Sequence, residues 1–301
     1  MKLSWIGALC ASVVFATGFQ AVAQDAPALP KVLRIFREEI KQGKDVAHEK
    51  TEANFARLAA KHKFPTNYLG CNVVVGPSEA WFFEAHDSFK TIQASDDMRE
   101  KNAAMKADLS MADSMDGELR VNATSMVAIL RDDLSYRASQ FAQELPKTRY
   151  FNMTIARLRP FTDMRFAELG KQIIAANEKA NIDLPTAIYQ VVSGGPTGMY
   201  LIFQPMKSME TMDSVPARSA AMMQAMGGMD KITALYKNAG EVITGTQTFL
   251  LAINPFLLAI NPKMSYVSKA IADQDPGFWN PKPAITAKPP AAKPPEKTGG
   301  Q

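Results

Sequence analysis

A hairpin-like stretch occurs twice in this chain, and its repetition narrows the fold more than any other feature. The first copy, YLGCNVVVGPSEAWFFEAHDSF, runs from Tyr68 to Phe89. The second, AIYQVVSGGPTGMYLIFQPMKSM, runs from Ala187 to Met209. Each is an apolar strand, a Gly-Pro turn, an aromatic-rich strand and a serine able to start a helix. Gly76-Pro77 and Gly195-Pro196 are 119 residues apart, as are Trp81 and Tyr200. No Ser-His-Asp order, Walker loop, GxGxxG or CxxC accompanies the repeat. SGGPTG, Ser193 to Gly198, is glycine-rich but lies between two strands, whereas a phosphate cradle opens a helix. It reads as a turn.

The segments around each hairpin repeat as well. KVLRIFREEI supplies a first strand, and the stretch from Lys44 to Lys63 reads as a helix carrying Ala47, Thr51, Phe55, Leu58 and His62 on one stripe. After the first hairpin, Ser95-Asp96-Asp97 is a plausible N-cap and acidic first turn. Met98, Asn102, Met105, Leu109 and Ala112 follow at helical spacing to Gly117, and a strand from about Val121 to Arg131 closes the unit. The second round has RYFNMTIARLRP, a helix carrying Phe166, Leu169, Ile173, Ala176 and Ala180, and the second hairpin. A helical region from about Met209 to Asn238 and a strand from about Glu241 complete it. The order β-α-β-β-α-β is the ferredoxin-like arrangement. FLLAINP is written twice in succession, Phe249 to Pro255 and Phe256 to Pro262. Proline lacks an amide donor, so one copy is expected in the sheet and the other as a loop.

The chain ends suggest export. Lys2 precedes an apolar run from Leu9 to Val22 and an Ala21-Val22-Ala23 cleavage site, the pattern of a signal peptide cut before Gln24. Residues 24–30 read as a linker, 31–140 and 147–266 as the two units, and 267–301 as an extension ending in a Pro/Lys-rich disordered tail, with Phe278 and Trp279 able to dock on the body. The expected location is periplasmic or secreted, with no membrane span. With Cys10 removed, Cys71 is the one cysteine, placed in an apolar strand as a small hydrophobe. Lys2 accounts for one of the formal +4 charges and the Pro281–Gln301 tail for three, so the body is neutral and offers nucleic acid no footprint.

One ferredoxin-like unit leaves a sheet face open, yet these strands are apolar on both faces. Trp81, Phe83 and Ala85 point one way, Phe82, Glu84 and His86 the other. Packing the two open faces together gives an α+β chain of two tandem ferredoxin-like units forming an intrachain barrel. On this element order and the opening LRIFREEIKQGK, the chain resembles the dimeric α/β-barrel superfamily, NIPSNAP- and EthD-like proteins in particular. It also resembles secreted bacterial proteins with an NPKMSYVSK-type C-terminal segment. The resemblance covers Lys31 to about Tyr266 and implies fold rather than activity. Chlorite dismutases of that superfamily ligate haem iron through a C-terminal-unit histidine. No histidine follows His86 here, so no cofactor is implied.

The candidate site residues are few. His48 near a helix start could be a base or ligand, with a surface position the plainer reading. His62 suits a helix C-terminus. His86 beside Asp87 could be a tuned base. Nothing in the sequence brings the three together, so no metal site is read. Arg34, Phe36 and Glu38 share one face of strand one. If that face lines the barrel, Arg34 and Glu38 form a charge pair in a cavity near Trp81 or Phe82, either a structural bridge or a ligand clamp. Methionines at 206, 209, 212, 222, 223, 226 and 229 would suit Cu(I) or fill an irregular core. Three functions follow: a carrier of a small apolar ligand or protein partner, a cofactor-poor oxygenase or isomerase using the barrel cavity, and a Met-rich copper carrier. A barrel filled by Trp81, Phe83, Tyr189 and Phe203 would favour the first.

Overall fold

The structure is a computed structural model that describes residues 28–244 and 255–280. The expected signal peptide, the Pro/Lys-rich tail and residues 249–254 of the first FLLAINP copy lie outside them. The chain is α+β. In order it forms β1 (Val32–Ile40), α1 (Asp45–His62), β2 (Tyr68–Val75), β3 (Glu79–His86), α2 (Phe89–Lys101), α3 (Ala103–Gly117) and β4 (Arg120–Leu130). After α4 (Ala138–Glu144) come β5 (Tyr150–Arg157), α5 (Asp163–Lys179), β6 (Ala187–Ser193), β7 (Met199–Met206), α6 (Val215–Met226), α7 (Met229–Val242) and β8 (Pro255–Ile260). Two short helices, α8 (Lys269–Ala272) and α9 (Pro276–Trp279), follow. Among the described residues no helix is long and apolar enough to cross a membrane.

All eight strands join one closed antiparallel barrel in the order β1-β3-β2-β8-β5-β7-β6-β4. Four strands of the first half and four of the second meet at two seams, β2 with β8 and β4 with β6. Alternation sends Leu33, Ile35, Cys71, Trp81 and Phe83 inward, where they pack with Phe151, Met153, Tyr189, Leu201 and Phe203. Phe203 stands edge-on to three of these rings, 5.2 Å from Phe83, 5.8 Å from Phe151 and 5.9 Å from Tyr189. Full burial of such a side chain is worth about 1.5–3 kcal/mol, so the barrel interior is a packed core. Trp81, Phe83, Tyr189 and Phe203 are among the side chains that fill it.

The barrel's inner face corrects the conditional reading of strand one. Arg34, Phe36 and Glu38 are on the outer face, under the helices, because Leu33 and Ile35 occupy the inner one. Trp81 is therefore on the opposite side of the sheet from them. It hydrogen-bonds through Nε1 to Glu79 at 3.1 Å and lies under the Arg37 guanidinium. The hairpins also differ by one residue, since β3 starts at Glu79 and β7 at Met199. Trp81 points inward, whereas Tyr200 packs outward against Phe166 of α5.

Several boundaries move for local reasons. Ser88, the serine that ends the first hairpin, caps the next helix as its position suggests, through a capping box with Thr91, and Ser95 does not. Ser95 is buried inside α2. The single expected helix breaks at Asn102, whose side chain accepts from the Met105 amide and so starts α3. Glu241 belongs to α7, and among the described residues the closing strand is Pro255–Ile260, most of it from the second FLLAINP copy. The methionine run falls on several elements: Met206 is buried in β7, Met222 and Met226 pack on the second-half core, and Met209, Met212 and Met229 are exposed. Cys71 is fully buried, and burial pushes its thiol up. Trp279 docks by donating Nε1–H to the Pro146 carbonyl at 2.9 Å.

SGGPTG is the β6–β7 turn. Gly194 has φ of +76°, and a Cβ there would strike the Ser125 carbonyl of β4. Gly194→Ala is expected to cost about 1–3 kcal/mol, read as a lower urea midpoint; an unchanged midpoint would contradict this packing.

Candidate functional site

The helices lie on the outer face of the barrel, and each half leaves a cavity between them and the sheet. In the first half the cavity holds about 270 Å³. Phe36 and Phe82 are its floor, opposite each other on β1 and β3, and Phe55, Phe64, Tyr68 and Leu109 complete the apolar wall. Its remaining lining is charged: Glu38, Glu52, Asp113 and Arg120 at one group, Glu84 and Arg99 at another. Apolar walls with a few convergent polar groups are what ligand sites share. The second-half cavity, about 310 Å³, is lined by Thr154, Phe166, Gly170, Ile202, Gln204 and other uncharged residues. Both β1 and α1 begin 118 residues before β5 and α5. On that count Glu38, His48 and Glu52 stand where the second half has Ala156, Phe166 and Gly170.

The first charged group is built around His48. Its Nε2 lies 2.9 Å from Glu38 Oε2 and 3.6 Å from Asp116 Oδ1. Arg120 reaches the far oxygens of the same two acids, donating to Glu38 Oε1 at 2.5 Å and pairing through Nε with Asp116 Oδ2 at 3.0 Å, an ion pair whose angle is outside hydrogen-bonding range. Arg120 also donates to Asp113 at 2.8 Å, and Thr51 donates to Asp116 Oδ1 at 2.5 Å. His48 is 1% exposed, which corrects its reading as a surface histidine: it faces the sheet from the first turn of α1. Glu52, one turn further along, is 5% exposed, and its carboxyl makes no hydrogen bond among the described residues. Burial, and then the nearby Glu38 and Asp116 charges, push its carboxyl well above the usual range. Burial likewise raises Asp116.

The second group is built around Glu84. Arg34 Nε donates to it at 2.7 Å, Arg99 at 3.0 Å and the Thr66 hydroxyl at 2.6 Å. Arg34 also pairs with Asp96 at 2.6 Å. Thus Arg34 and Glu38 do not form the expected pair; each has partners of its own, and Arg34 does not line the cavity. His86 faces Glu84 at 3.6 Å and Thr91 at 3.4 Å rather than Asp87. His62 is held by Asp108 at 2.8 Å. The three histidines therefore share no acid. Between the two groups, the buried Tyr68 hydroxyl has no hydrogen-bond partner among the described residues, and burial pushes its phenol up, with the Glu52 and Glu84 charges adding to it.

Glu52, Asp116, Arg120 and Tyr68 were absent from the sequence candidates. One signal was available for Glu52, because His48 and Glu52 are four apart and share a face of α1. Asp116 and Arg120 come from α3 and β4, and no local pattern connects them to α1.

A further cavity of about 270 Å³ lies beside Leu33, Phe83, Tyr189 and Phe203, under Phe141 and Leu145. Its walls are almost wholly apolar, and the Tyr189 hydroxyl there already donates to the Pro30 carbonyl at 2.9 Å. Asn67, Tyr68 and Asp87 also line it.

No protein-family model matches the chain, and no curated protein matches it. Among solved structures it is similar to an anthrone oxidase-like protein at 8% identity, covering 79% of this chain and 91% of that one, with a TM-score of 0.48. A protein from Fusobacterium nucleatum, provisionally described as a monooxygenase, matches at 11% identity over 77% and 93% of the two chains, TM-score 0.47. A mutant chlorite dismutase of Candidatus Nitrospira defluvii matches at 7% identity over 84% and 98%, TM-score 0.46.

Buried Glu84 is the group whose acid sensitivity is clearest. Burial would raise its carboxyl, but His86, Arg34 and Arg99 outweigh this and hold it well below the usual range. A depressed carboxylate stabilises fully above the unfolded glutamate value, about 4.3, and loses that contribution as pH falls below it. Glu84→Gln should cost about 3 kcal/mol at pH 7, and its melting-temperature gap from wild type should narrow by pH 3. A gap that stays constant from pH 7 to pH 3 would refute this assignment.

Proposed function

We propose that the chain is an exported α/β-barrel protein, two ferredoxin-like units in tandem, that binds a small and largely apolar aromatic ligand in the first-half cavity. The strand orders β4-β1-β3-β2 and β8-β5-β7-β6 support the tandem reading, since the two halves follow one pattern. The observation that carries the ligand is the Tyr68 hydroxyl, buried without a partner beside rings of Phe36, Phe55, Phe64 and Phe82. A buried hydroxyl left unpaired costs about 1–3 kcal/mol, and a ligand with one polar atom would recover it. The export reading rests on the N-terminal sequence pattern.

A second reading keeps the site and adds chemistry. Glu52 and Tyr68 present a carboxyl and a phenol to the same cavity, the two proton-carrying groups that a cofactor-poor isomerase or oxygenase would use on an aromatic substrate.

1-Naphthol is a suitable probe, being flat, apolar and singly hydroxylated. Calorimetry should show micromolar binding to the chain beginning at Gln24. Leu109→Trp, which fills the cavity, should weaken it at least about tenfold, and Tyr68→Phe should weaken 1-naphthol but not naphthalene, as loss of one buried hydrogen bond implies. Unchanged binding to Leu109→Trp, or loss of binding through Leu145→Trp instead, would move the ligand to the barrel-mouth cavity and overturn the proposal.

A further inference from the structure

The group around His48 has features that an apolar ligand does not explain. One ligating atom each from Glu38, His48, Glu52 and Asp116 lies within 4.8 Å of every other. A tetrahedral Zn²⁺ with nitrogen and oxygen ligands at about 2.1 Å spaces its donors about 3.4 Å apart, so side-chain adjustments of about an ångström would close the shell.

The carboxylates are oriented for it. Arg120 faces the outer oxygens Glu38 Oε1 and Asp116 Oδ2, which turns Glu38 Oε2 and Asp116 Oδ1 toward His48 Nε2. Thr51 fixes Asp116 from the helix side. Such outer contacts hold metal ligands in place. Glu52 supplies an independent observation: it is buried, its carboxyl belongs to the same set of donors, and no described residue gives it a hydrogen bond. Charge points the same way. The buried carboxyl groups of Glu38, Glu52 and Asp116 face one guanidinium and one imidazole, and buried acids are costly unless paired.

We propose that Glu38, His48, Glu52 and Asp116 are the ligands of a divalent cation of the Zn²⁺ class. Imidazole with carboxylates suits such a cation. His48 and Asp116 lie beyond the lining of the aromatic cavity, whereas Glu38 and Glu52 line it, so the metal and the aromatic ligand would share a wall.

The test uses the full chain stripped with a chelator and titrated with ZnCl₂ by calorimetry, with Co²⁺ added in parallel for its visible absorption. One equivalent should bind, and Co²⁺ should give the intense bands of a four-coordinate site. Glu52→Gln and Asp116→Asn should each weaken binding at least about tenfold, with circular dichroism confirming that at least one of them folds. His62→Ala, which removes the histidine paired with Asp108, should bind as wild type. Absence of stoichiometric binding, wild-type affinity in a folded Glu52→Gln or Asp116→Asn variant, or loss of binding through His62→Ala would overturn the assignment.

Discussion

Closure of the sheet is the constraint on which the rest of this structure depends. A strand edge left open exposes a row of unpaired amides and carbonyls, and the two seams, β2 with β8 and β4 with β6, cover the edges of both halves at once. Closure also decides which face is core. Once Leu33, Ile35, Trp81 and Phe83 are committed to the interior with Phe151, Tyr189 and Phe203, the alternate residues must face the helices. Arg34, Phe36, Glu38, Phe82 and Glu84 become the floor of a second layer, and the layer's chemistry follows from what α1, α2 and α3 bring down onto it.

The two outer layers have taken different courses from the same architecture. In the second half, Phe166, Leu169, Tyr200, Leu235 and Val242 make an apolar contact between helices and sheet. In the first half, the same space holds His48, Glu52, Asp116 and Arg120 above Glu38, and Arg34 and Arg99 around Glu84. Buried ion pairs seldom improve stability over apolar packing of similar volume. A half that carries two such groups, with Glu52 unpaired and Tyr68 without a hydrogen-bond partner, is organised for something other than stability. That is the physical basis for placing the proposed function there and treating the second half as scaffold.

Much of the fold was legible because strands and turns leave local marks. Alternation in EAWFFEAH, the Gly-Pro turns and the prolines after α1 and α5 fix strand and helix order without long-range information. The inward face was not legible, since Trp81 and Phe82 are both large and apolar and only barrel closure distinguishes them. The end of the second half misled for a related reason: GEV at Gly240 to Val242 aligns with GEL at Gly117 to Leu119, yet α7 continues to Val242. Of the site, strand one gave Arg34, Phe36 and Glu38 a shared face, but not their partners. Glu84, Asp96 and Arg120 arrive from elements 50 to 82 residues away, and such pairings have no sequence period. His48 was misread because a polar residue in a helix's first turn resembles a solvent-facing one until the sheet beneath it is known.

The central claim is that the first-half layer gives up stability to hold a site. Thermal unfolding of chelator-treated Glu52→Leu measures this most directly, because the substitution replaces an unpaired buried carboxyl with an apolar group of similar volume. A melting temperature above that of wild type at pH 7 is expected, accompanied by loss of metal binding. A lower melting temperature would show that Glu52 is a structural acid, and would contradict the account.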